Sequence, residues 1–434
     1  MARTNLTRRH FLKTAALSAA GLAAAPYVIT SPALGAATIP PASERVTVGH
    51  IGVGNQGGGL LGHFLQLPLG QTVAVCDCFK ARRDAAVAAA ERRYANRAGQ
   101  GAYKGCAAFA DFRDLLARPD IDAVVIATPD HWHVPLGLAA ARAGKDMYIE
   151  KPLGLSIEQN QALRTAVRRY GRVFQYGTQQ RGQAHVRFGC ELVRSGRIGK
   201  VERIEVLAPG GSAGGSTTAI PVPDGFDYGL WQGPAMESPY TADRCTSSGT
   251  YFVYANSIGF LGGWGAHPLD VLHWAYPDAI PVEYEGTGVI PTEGLYDAVT
   301  TWDIRARYAN GVPLTFKPGG DRTTFYGPDG WVAISRGGLD AEPKSLLRST
   351  IAPDEVHLHA SNDHSQDFLE CVRNRLDPAS PIETAVQSDF ISHLSDIAIR
   401  TGRKIQWDPV TETIVGDPEA ARRTVRPMRS PWRL

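Results

Sequence analysis

The fold is decided by residues 46–57, which read Val-Thr-Val-Gly-His-Ile-Gly-Val-Gly-Asn-Gln-Gly. An apolar strand here enters a Gly-x-Gly-x-x-Gly turn. In this turn Gly52 permits the tight bend, Gly54 lets the backbone approach a pyrophosphate, and Gly57 allows close helix packing. The next apolar strand ends at Asp77, where a carboxylate can accept hydrogen bonds from ribose hydroxyls. The glycine turn alone is weak evidence, but the three features together predict a dinucleotide site.

The same turn offers further cofactor contacts, and we expect Asn55 and Gln56 to take part in them. Asp77 favours NAD over NADP, because its negative charge would repel a 2′-phosphate. Arg82 and Arg83 follow in the next helix, where an arginine could accept that phosphate or could simply be a solvated surface charge. NAD is therefore the predicted cofactor, with NADP left open.

Two sequence patterns divide the chain into two domains. Over residues 44–176, apolar strands alternate with helical segments, which predicts a parallel doubly wound sheet. Over residues 177–434, alternating polar and apolar segments predict half-exposed antiparallel strands. The expected fold is α/β: an N-terminal Rossmann domain and a C-terminal α+β domain whose large, open, mostly antiparallel sheet serves substrate binding and oligomerisation. We expect apolar residues on its outer face, which predicts a homo-oligomer, either a dimer or a tetramer.

An export signal precedes the first domain. Residues 7–13 read Thr-Arg-Arg-His-Phe-Leu-Lys, and an uncharged run covers residues 14–25. This run is well short of the ~20 residues that a spanning helix needs, so a twin-arginine signal is favoured over a membrane anchor. Residues 33–35, Ala-Leu-Gly, offer a cleavage site, which predicts a signal peptide over residues 1–36. Because this route carries folded proteins, we expect a periplasmic or otherwise exported protein that leaves with its cofactor bound and has no stable membrane insertion.

Composition excludes several classes of partner. The formal net charge is +2, so the chain lacks the electrostatic footprint of a protein that binds nucleic acid or anionic lipid. The six cysteines do not have the spacing of metal ligands. Because the chain is expected to fold in a reducing cytoplasm, we predict that they are free thiols.

A histidine-rich loop raises the question of a metal site. His357 and His359 are followed by Asp363 and His364, but neither a helical His-Glu-x-x-His motif nor a closed Cys/His set is present. A polar loop that enters a helix over residues 365–375 is the favoured interpretation. No metal is predicted.

Two later strands end in polar clusters. Residues 127–133 read Ala-Thr-Pro-Asp-His-Trp-His and close one strand, and residues 150–152, Glu-Lys-Pro, close the next. Because ligands bind at the carboxyl ends of parallel strands, we expect both segments beside the nicotinamide end of the cofactor. The cofactor contacts predicted there are Thr128, Pro129, His131, His133, Glu150 and Lys151.

With these motifs in this order, the chain resembles the Gfo/Idh/MocA family of sugar oxidoreductases, whose hallmark is the dinucleotide turn followed by Glu-Lys-Pro. The resemblance continues through residues 177–181, 231–234, 262–270 and 405–409, and so covers essentially the whole chain after the signal. It implies a bound nicotinamide cofactor and a small carbohydrate substrate.

The resemblance also implies catalytic roles. The lysine that matches Lys151 contacts cofactor and substrate, and the histidine that matches His267 transfers a proton near the sugar hydroxyl. Both roles suit alcohol oxidation, which needs a proton acceptor on oxygen while hydride leaves carbon. Many family members carry an aspartate four residues before this histidine, where this chain has Gly263. Asp270, which shares a helix face with His267, or His273 or a residue from elsewhere could replace it, although Asp270 could equally be a structural carboxylate.

Polar and aromatic side chains near these segments could bind a polyhydroxylated ligand. An ordinary polar loop, a core position or an oligomer interface is the alternative for them. The predicted substrate residues are Gln179, Gln180, Arg181, His185, Trp231 and Trp264.

Three functions are compatible with these residues. The leading one is an exported NAD(P)-dependent oxidoreductase that acts on a sugar or sugar derivative and keeps its cofactor, because no free NAD pool exists outside the cytoplasm. The alternative is a redox-neutral, NAD-dependent glycoside hydrolase. There, transient oxidation at carbon 3 acidifies the proton on carbon 2, the aglycone is eliminated, water adds and the ketone is reduced. The third, a non-catalytic sugar-binding protein, ranks last because Lys151 and His267 are both present.

Overall fold

The computed structural model describes residues 39–98, 104–277 and 280–434. The chain divides into two compact units, Met1–Arg45 and Val46–Leu434. In the first unit a 3₁₀ helix spans Ala42–Glu44. The predicted signal peptide and its cleavage site lie outside the described residues. Where the chain is described, none of its helices combines the length and the apolar character needed to cross a bilayer.

The second unit begins with a six-stranded sheet in which every neighbouring pair is parallel. Its strand order is β3-β2-β1-β4-β5-β6, with the change of direction between β1 and β4. This order is that of a Rossmann sheet, as the sequence predicts. The strands are β1 Val46–Ile51, β2 Gly70–Cys76, β3 Ala107–Phe109, β4 Ala123–Ile126, β5 Asp146–Ile149 and β6 Phe174–Tyr176. The connecting helices are α1 Asn55–Phe64, α2 Lys80–Ala98, α3 Phe112–Leu116, α4 Asp130–Arg142 and α5 Ile157–Tyr170.

A nine-stranded sheet follows, and only its β7–β10 pair is parallel. Its order is β13-β12-β11-β7-β10-β9-β8-β14-β15. The strands are β7 Arg203–Ala208, β8 Glu283–Val289, β9 Thr301–Arg307, β10 Pro313–Pro318, β11 Arg322–Gly327, β12 Gly330–Ser335, β13 Gly338–Glu342, β14 Ile405–Asp408 and β15 Thr413–Val415. The predicted fold class, with a mostly antiparallel second sheet, is confirmed.

The helices of this second part include two 3₁₀ segments. The α-helices are α6 Ala184–Arg194, α7 Tyr228–Gln232, α8 Ser247–Phe252, α9 Phe260–Gly263, α10 Ala266–Ala275, α11 His364–Asn374, α12 Ile382–Thr401 and α13 Pro418–Arg422, and the 3₁₀ helices are Gln179–Gly182 and Lys344–Arg348. Helix α10 packs against α12, β7 and β11, and α12 also packs on β8. The helix that carries His267 therefore rests on the inner face of the second sheet.

Local signals explain where several helices begin and end. Ser156 caps α5 by accepting a hydrogen bond from the backbone N–H of Gln159 at 3.2 Å. Gly171 ends the same helix in the left-handed region, with φ of +59°. Asp363 caps α11 by accepting two backbone N–H groups. These residues fix the lengths of the helices that flank the two sheets.

The outer face of the second sheet differs from the expectation. On β9, Trp302, Ile304 and Ala306 are buried, whereas the alternate positions carry Arg305 and Arg307, which are exposed. The predicted apolar outer face is wrong for this central strand, because charged side chains occupy it. The homo-oligomer that was inferred from such a face stays a prediction.

A buried ion pair connects the segment after β6 to α10. The Arg181 Nε atom lies 2.7 Å from one Asp270 oxygen and its Nη2 atom 2.7 Å from the other. Both side chains are at most 2% exposed, and Arg181 also donates to the carbonyl of Ala379 at 3.0 Å. Such a bidentate, fully hydrogen-bonded pair fixes orientation. It therefore holds α10 in place against the edge of the first sheet.

We predict that Asp270→Ala destabilises the protein by about 3–5 kcal/mol, because it leaves a buried guanidinium without its counterion. The matched control is Asp303→Ala, which removes an exposed pair with Lys317 at 3.2 Å and should cost less than about 1 kcal/mol. Urea unfolding of both variants gives the two free energies. Equal, small losses would show that the buried pair does not hold α10.

Candidate active site

Four strands of the first sheet direct their carboxyl ends to one edge. Gly52 follows β1, Asp77 follows β2, Thr128 follows β4 and Lys151 follows β5. A cleft of about 1020 Å³, counted to its open mouth, runs along this edge. In an open parallel sheet this is where ligands bind. Predicted cofactor residues that line the cleft are Gly52, Gly54, Asn55, Gln56, Asp77, Thr128 and Pro129.

The glycine turn has the geometry of a pyrophosphate cradle. Gly52 has φ of +82°, and a Cβ atom there would lie 2.6 Å from the carbonyl oxygen of Ala127. A Cβ atom on Gly57 would lie 2.0 Å from the carbonyl oxygen of Gly52, so only glycine lets α1 pack on the turn. Gly54 begins α1 without a side-chain cap. The helix N-terminus therefore presents backbone N–H groups that suit a phosphate, and the residues present fit a dinucleotide.

Asp77 joins the second strand to this turn. Its carboxylate accepts hydrogen bonds from the backbone N–H groups of Val53 and Phe79, each at 2.9 Å. Each oxygen keeps further acceptor capacity, so the ribose hydroxyls of a nucleotide can still bind there. Arg82 also lines the cleft, with its guanidinium carbon 3.9 Å from the centroid of the Phe79 ring. Arg83 instead donates to the backbone carbonyl of Asp77.

Residues 225–251, which we call the cover segment, close the opposite side of the cleft. Phe226 stacks on Phe79 with the ring centroids 3.7 Å apart. The backbone N–H of Lys80 donates to Gly225 O at 2.8 Å. Farther along the segment, Ser247 accepts from Asn55 Nδ2 at 3.0 Å. The second part of the chain is thus attached to both ends of the nucleotide cleft. Other residues of the cover segment that line the cleft are Leu230, Trp231, Cys245, Thr246, Thr250 and Tyr251.

Lys151 follows β5 of the first sheet, and His267 lies on α10, which packs on the second sheet. Lys151 adjoins the cleft through Tyr251, and its charge is near enough to His267 to lower the pKa of the imidazole. His267 is 4% exposed, and its Nδ1 atom has no hydrogen-bond partner in the described part of the chain. Burial lowers the pKa of His267 well below 6.5, and the positive charges of Lys151 and Arg336 lower it further. The imidazole is therefore neutral at neutral pH and can accept a proton.

The opposite holds for Lys151. Burial favours the neutral amine, but Tyr251, Glu150 and Asp130 together outweigh it, and the pKa of Lys151 is raised. The site thus combines an ammonium group with a neutral imidazole. Two neighbouring groups whose environments push their protonation states apart are typical of an acid–base site.

Two buried carboxyl groups flank Lys151. Glu150 accepts from Gln56 Nε2 at 3.0 Å and from Gln179 Nε2 at 2.6 Å, so it links the glycine turn to the predicted substrate segment. Asp130 lies at the start of α4 and is 3% exposed. Burial raises the pKa of Asp130 to about 7, although Ser257 and Lys151 oppose this effect. One of its oxygens has no partner in the described residues.

The two other predicted cofactor residues on α4 use their ring nitrogens within the protein. His131 contacts the carbonyl of Trp231 at 2.9 Å and the side-chain nitrogen of Asn256 at 3.2 Å. His133 contacts the carbonyls of Pro152 at 2.6 Å and Thr128 at 2.9 Å. Burial lowers the pKa of both rings to about 4. Both rings therefore hydrogen-bond to neighbouring segments of the protein. Their contact with the cofactor stays a prediction.

The predicted substrate residues divide into three groups. The Trp264 ring lies 5.6 Å from the His267 ring, and Gln180 donates at 2.6 Å to Asp321, which lies 3.8 Å from Arg336. The second group lies on the cofactor side of the site. Gln179 donates to Glu150, and Trp231 forms part of the cleft wall.

Arg181 and His185 have other partners. The Arg181 guanidinium is committed to Asp270, and His185 Nε2 lies 3.0 Å from the carbonyl oxygen of Ser335. The same ion pair places both Asp270 oxygens on Arg181. The pair favours a structural role for Asp270, and the His267 Nδ1 atom has no partner in the described chain. A catalytic role for Asp270 stays a prediction.

Sequence reasoning missed several residues around His267. Arg336 lies with its guanidinium carbon 5.6 Å from the centroid of the Trp264 ring and 3.8 Å from Asp321 through its Nε atom. His364 is buried, and neither of its ring nitrogens has a partner in the described chain. Tyr251 lies over Lys151. No local motif marks these residues, because long-range packing alone brings them to the site.

The histidine-rich loop is explained by ordinary pairs. His359 lies 2.6 Å from Asp367, and His63 lies 2.9 Å from Asp363, the residue that caps α11. Over the residues that the structure describes, no three His, Cys, Asp or Glu side chains form a group that could hold a metal ion. The cysteines Cys76, Cys78, Cys106, Cys190, Cys245 and Cys371 are free thiols.

Two family models match the chain. Residues 46–178 match the Gfo/Idh/MocA model for the NAD-binding Rossmann fold of the oxidoreductase family, and residues 213–434 match the model for its C-terminal alpha/beta domain. A glycosyl hydrolase family 109 protein of Shewanella pealeana is 37% identical over 164 residues, which are 36% of this chain and 35% of that protein. The chain thus spans about a third of the length of this curated relative.

Solved structures are similar over a much larger part of the chain. The WlbA dehydrogenase of Bordetella pertussis, in complex with NADH and UDP-GlcNAcA, has a TM-score of 0.62 at 18% identity and covers 84% of this chain and 99% of that chain. The scyllo-inositol dehydrogenase of Lactobacillus casei, with bound NAD(H) and scyllo-inositol, has a TM-score of 0.58 at 19% identity, covering 83% and 99%. At these identities the likeness concerns the fold.

We predict that Asp77→Ala weakens NAD binding about 30- to 1,000-fold, because it removes charge-assisted hydrogen bonds to the ribose hydroxyls. Asp84→Ala is the matched control, since Asp84 pairs with Lys80 on the exposed side of α2. Titration calorimetry on nucleotide-free protein measures both affinities, and circular dichroism checks the fold. An unchanged dissociation constant for Asp77→Ala would mean that the ribose binds elsewhere.

Proposed function

Because the chain belongs to the Gfo/Idh/MocA oxidoreductase family, we propose that it is an NAD-dependent enzyme that oxidises a secondary hydroxyl of a sugar or sugar derivative. One observation carries the proposal. Beside the cleft that fits the dinucleotide, the charged Lys151 packs near Tyr251 of the cleft wall and is close enough to the neutral His267 on α10 to lower the pKa of its imidazole. A substrate hydroxyl between them would face a base and a cation at the same time.

The side chains divide the work on that hydroxyl. Bound NAD supplies the acceptor for the hydride that leaves the carbon. His267 accepts the hydroxyl proton at a ring nitrogen, which its lowered pKa keeps free at neutral pH. The Lys151 ammonium stabilises the negative charge that develops on the oxygen. His267 is buried and Lys151 is half-buried, so water screens these interactions less than it would at the surface.

The polar groups around His267 support a polyhydroxylated substrate. His364 and the Nδ1 atom of His267 are buried without partners in the described chain, and Gln180, Asp321 and Arg336 add donors and acceptors. Trp264 offers an aromatic surface beside them, on which the face of a sugar ring could pack. Buried polar atoms without partners favour a ligand that supplies hydrogen bonds.

Redox-neutral glycoside hydrolysis is the second candidate, and the glycosyl hydrolase family 109 relatives favour it. It uses the same two residues, first to oxidise the carbon 3 hydroxyl and last to restore it. A proton on carbon 2 must leave in between, so a further acid–base group is needed. A non-catalytic sugar-binding protein ranks third, because both Lys151 and His267 are present.

We also propose export by the twin-arginine pathway to the periplasm, with NAD retained on the way. The cover segment supports retention, because its Phe226 stacks on Phe79 and Thr246, Thr250 and Tyr251 of the same segment line the nucleotide cleft. NADP stays open, since Arg82 lies in the cleft beside Asp77. A homo-oligomer, dimer or tetramer, is part of the proposal, and charges of both signs on the outer face of the second sheet could pair across its interface.

We predict that NAD(H) co-purifies with the mature protein, because the cover segment slows its release. Acid denaturation followed by mass spectrometry of the released nucleotide measures this. The same protein is then offered free sugars and aryl glycosides without added cofactor. Absorbance at 340 nm reports net oxidation, and aglycone release without that signal reports hydrolysis. An empty protein that turns over neither class would exclude both candidates.

We predict that Lys151→Ala and His267→Ala each lower turnover by ~10²- to 10⁴-fold and leave NAD bound. The double variant should be little worse than either single one, because residues that act on one oxygen are strongly non-additive. Lys317→Ala and His357→Ala, both outside the site, serve as controls. Full activity in either single site variant would assign the proton to another group.

A further inference from the structure

The space before His267 is filled by an aromatic ring from another helix. Position 263, four residues before His267, is glycine, and a Cβ atom there would lie 3.2 Å from Cδ1 and 3.4 Å from Cε1 of Tyr251. The Tyr251 ring also meets the Phe260 ring edge-on at 5.4 Å. A side chain at position 263 would therefore compete with Tyr251. Its absence lets this tyrosine approach the site.

Tyr251 reaches the end of β5 from this position. The Lys151 Nζ atom lies 5.4 Å from the centroid of the Tyr251 ring, and the Tyr251 side chain is among the groups that raise the pKa of Lys151. Tyr251 also lines the nucleotide cleft, as part of the cover segment. Two distant parts of the chain thus meet here, the first sheet through Lys151 and the cover segment through Tyr251, next to the glycine that stands four residues before His267.

We propose that Tyr251 is the positioning residue for Lys151: its hydroxyl accepts a hydrogen bond from the Lys151 ammonium and directs it at the substrate oxygen. The inference rests on the proposed function, in which Lys151 and His267 share one hydroxyl. The glycine at position 263 is part of this arrangement, because a side chain there would compete with Tyr251 for the space beside Lys151.

A lysine needs such a partner for a physical reason. Its side chain has four rotatable methylene groups, so an ammonium with no fixed acceptor samples many positions. A tyrosine ring has few rotamers, and here packing against Phe260 and the backbone at Gly263 restricts it further. The hydroxyl therefore offers an acceptor at a defined place.

The charges around Lys151 set the expected direction of its titration. Tyr251 on α8, Asp130 at the start of α4 and Glu150 beside it all favour the ammonium, against burial. The imidazoles of His133 and His267 also face this lysine. The pKa of Tyr251 is raised, since burial, Asp130 and Glu150 outweigh the opposing effect of Lys151, so the phenol is neutral at neutral pH. Removing the Tyr251 hydroxyl removes one of the groups that stabilise the ammonium, and this lowers the pKa of Lys151.

The experiment uses Tyr251→Phe in the full-length protein, because this change keeps the ring and removes only the hydroxyl. Protein labelled with ¹³C at the lysine Cε is titrated by NMR, with Lys151→Arg to assign the resonance. We expect the pKa of Lys151 to fall by about one unit. With the best carbohydrate of the substrate panel, kcat should fall about tenfold at nearly constant KM, and the alkaline limb of the rate profile should move to lower pH.

Tyr254→Phe is the matched control, three residues along the chain. Its hydroxyl lies 2.9 Å from Asp396 and outside the cleft lining, so its loss affects stability but not the titration of Lys151. An unchanged Lys151 pKa in Tyr251→Phe overturns the proposal. A lowered pKa with undiminished kcat also overturns it, since the contact would then not position the lysine. If the wild-type protein turns over no carbohydrate, the proposed function fails, whereas the titration still decides the Tyr251–Lys151 contact.

Discussion

Parallel strands bring their carboxyl ends to one edge of a sheet, and this constraint determines the rest of the site. Strands β1, β2, β4 and β5 all end there. The direction of the strands is therefore enough to bring the glycine turn, Asp77, Thr128 and Lys151 to the same edge. The second sheet then needs to supply only what this edge lacks. It supplies a cover for the nucleotide cleft and a helix that carries His267.

Electrostatics gives the meeting point its chemistry. Burial lowers the pKa of His267, whereas Tyr251, Glu150 and Asp130 outweigh the same effect on Lys151 and raise its pKa. The surroundings thus reinforce the state that each residue type favours at neutral pH. The positioning of α10 by the buried Arg181–Asp270 pair is part of the same arrangement, since it sets where the imidazole lies relative to the sheet edge.

The sequence predicted what depends on local pattern, and long-range packing decided the rest. The parallel sheet, the glycine turn and the strand ends follow from periodicity and turn chemistry, and all lie as expected. Asp270 shares a helix face with His267, but spacing on a helix cannot reveal that Arg181, 89 residues away, takes both of its oxygens. Tyr251 has no local motif, and the histidine-rich loop singled out His364 only as a possible metal ligand, so neither was predicted to lie near His267. The apolar outer face expected for the second sheet is wrong for β9, because Arg305 and Arg307 stand at its exposed positions.

Whether Lys151 and His267 act on one substrate hydroxyl is tested most directly by a crystal structure of the protein with its NAD and a bound carbohydrate. We predict that one secondary hydroxyl oxygen lies within about 3.2 Å of both Lys151 Nζ and a ring nitrogen of His267. The carbon that bears this hydroxyl would face the nicotinamide. A carbohydrate bound away from the sheet edge, or one whose hydroxyls contact Lys151 and His267 on different atoms of the ring, would contradict it.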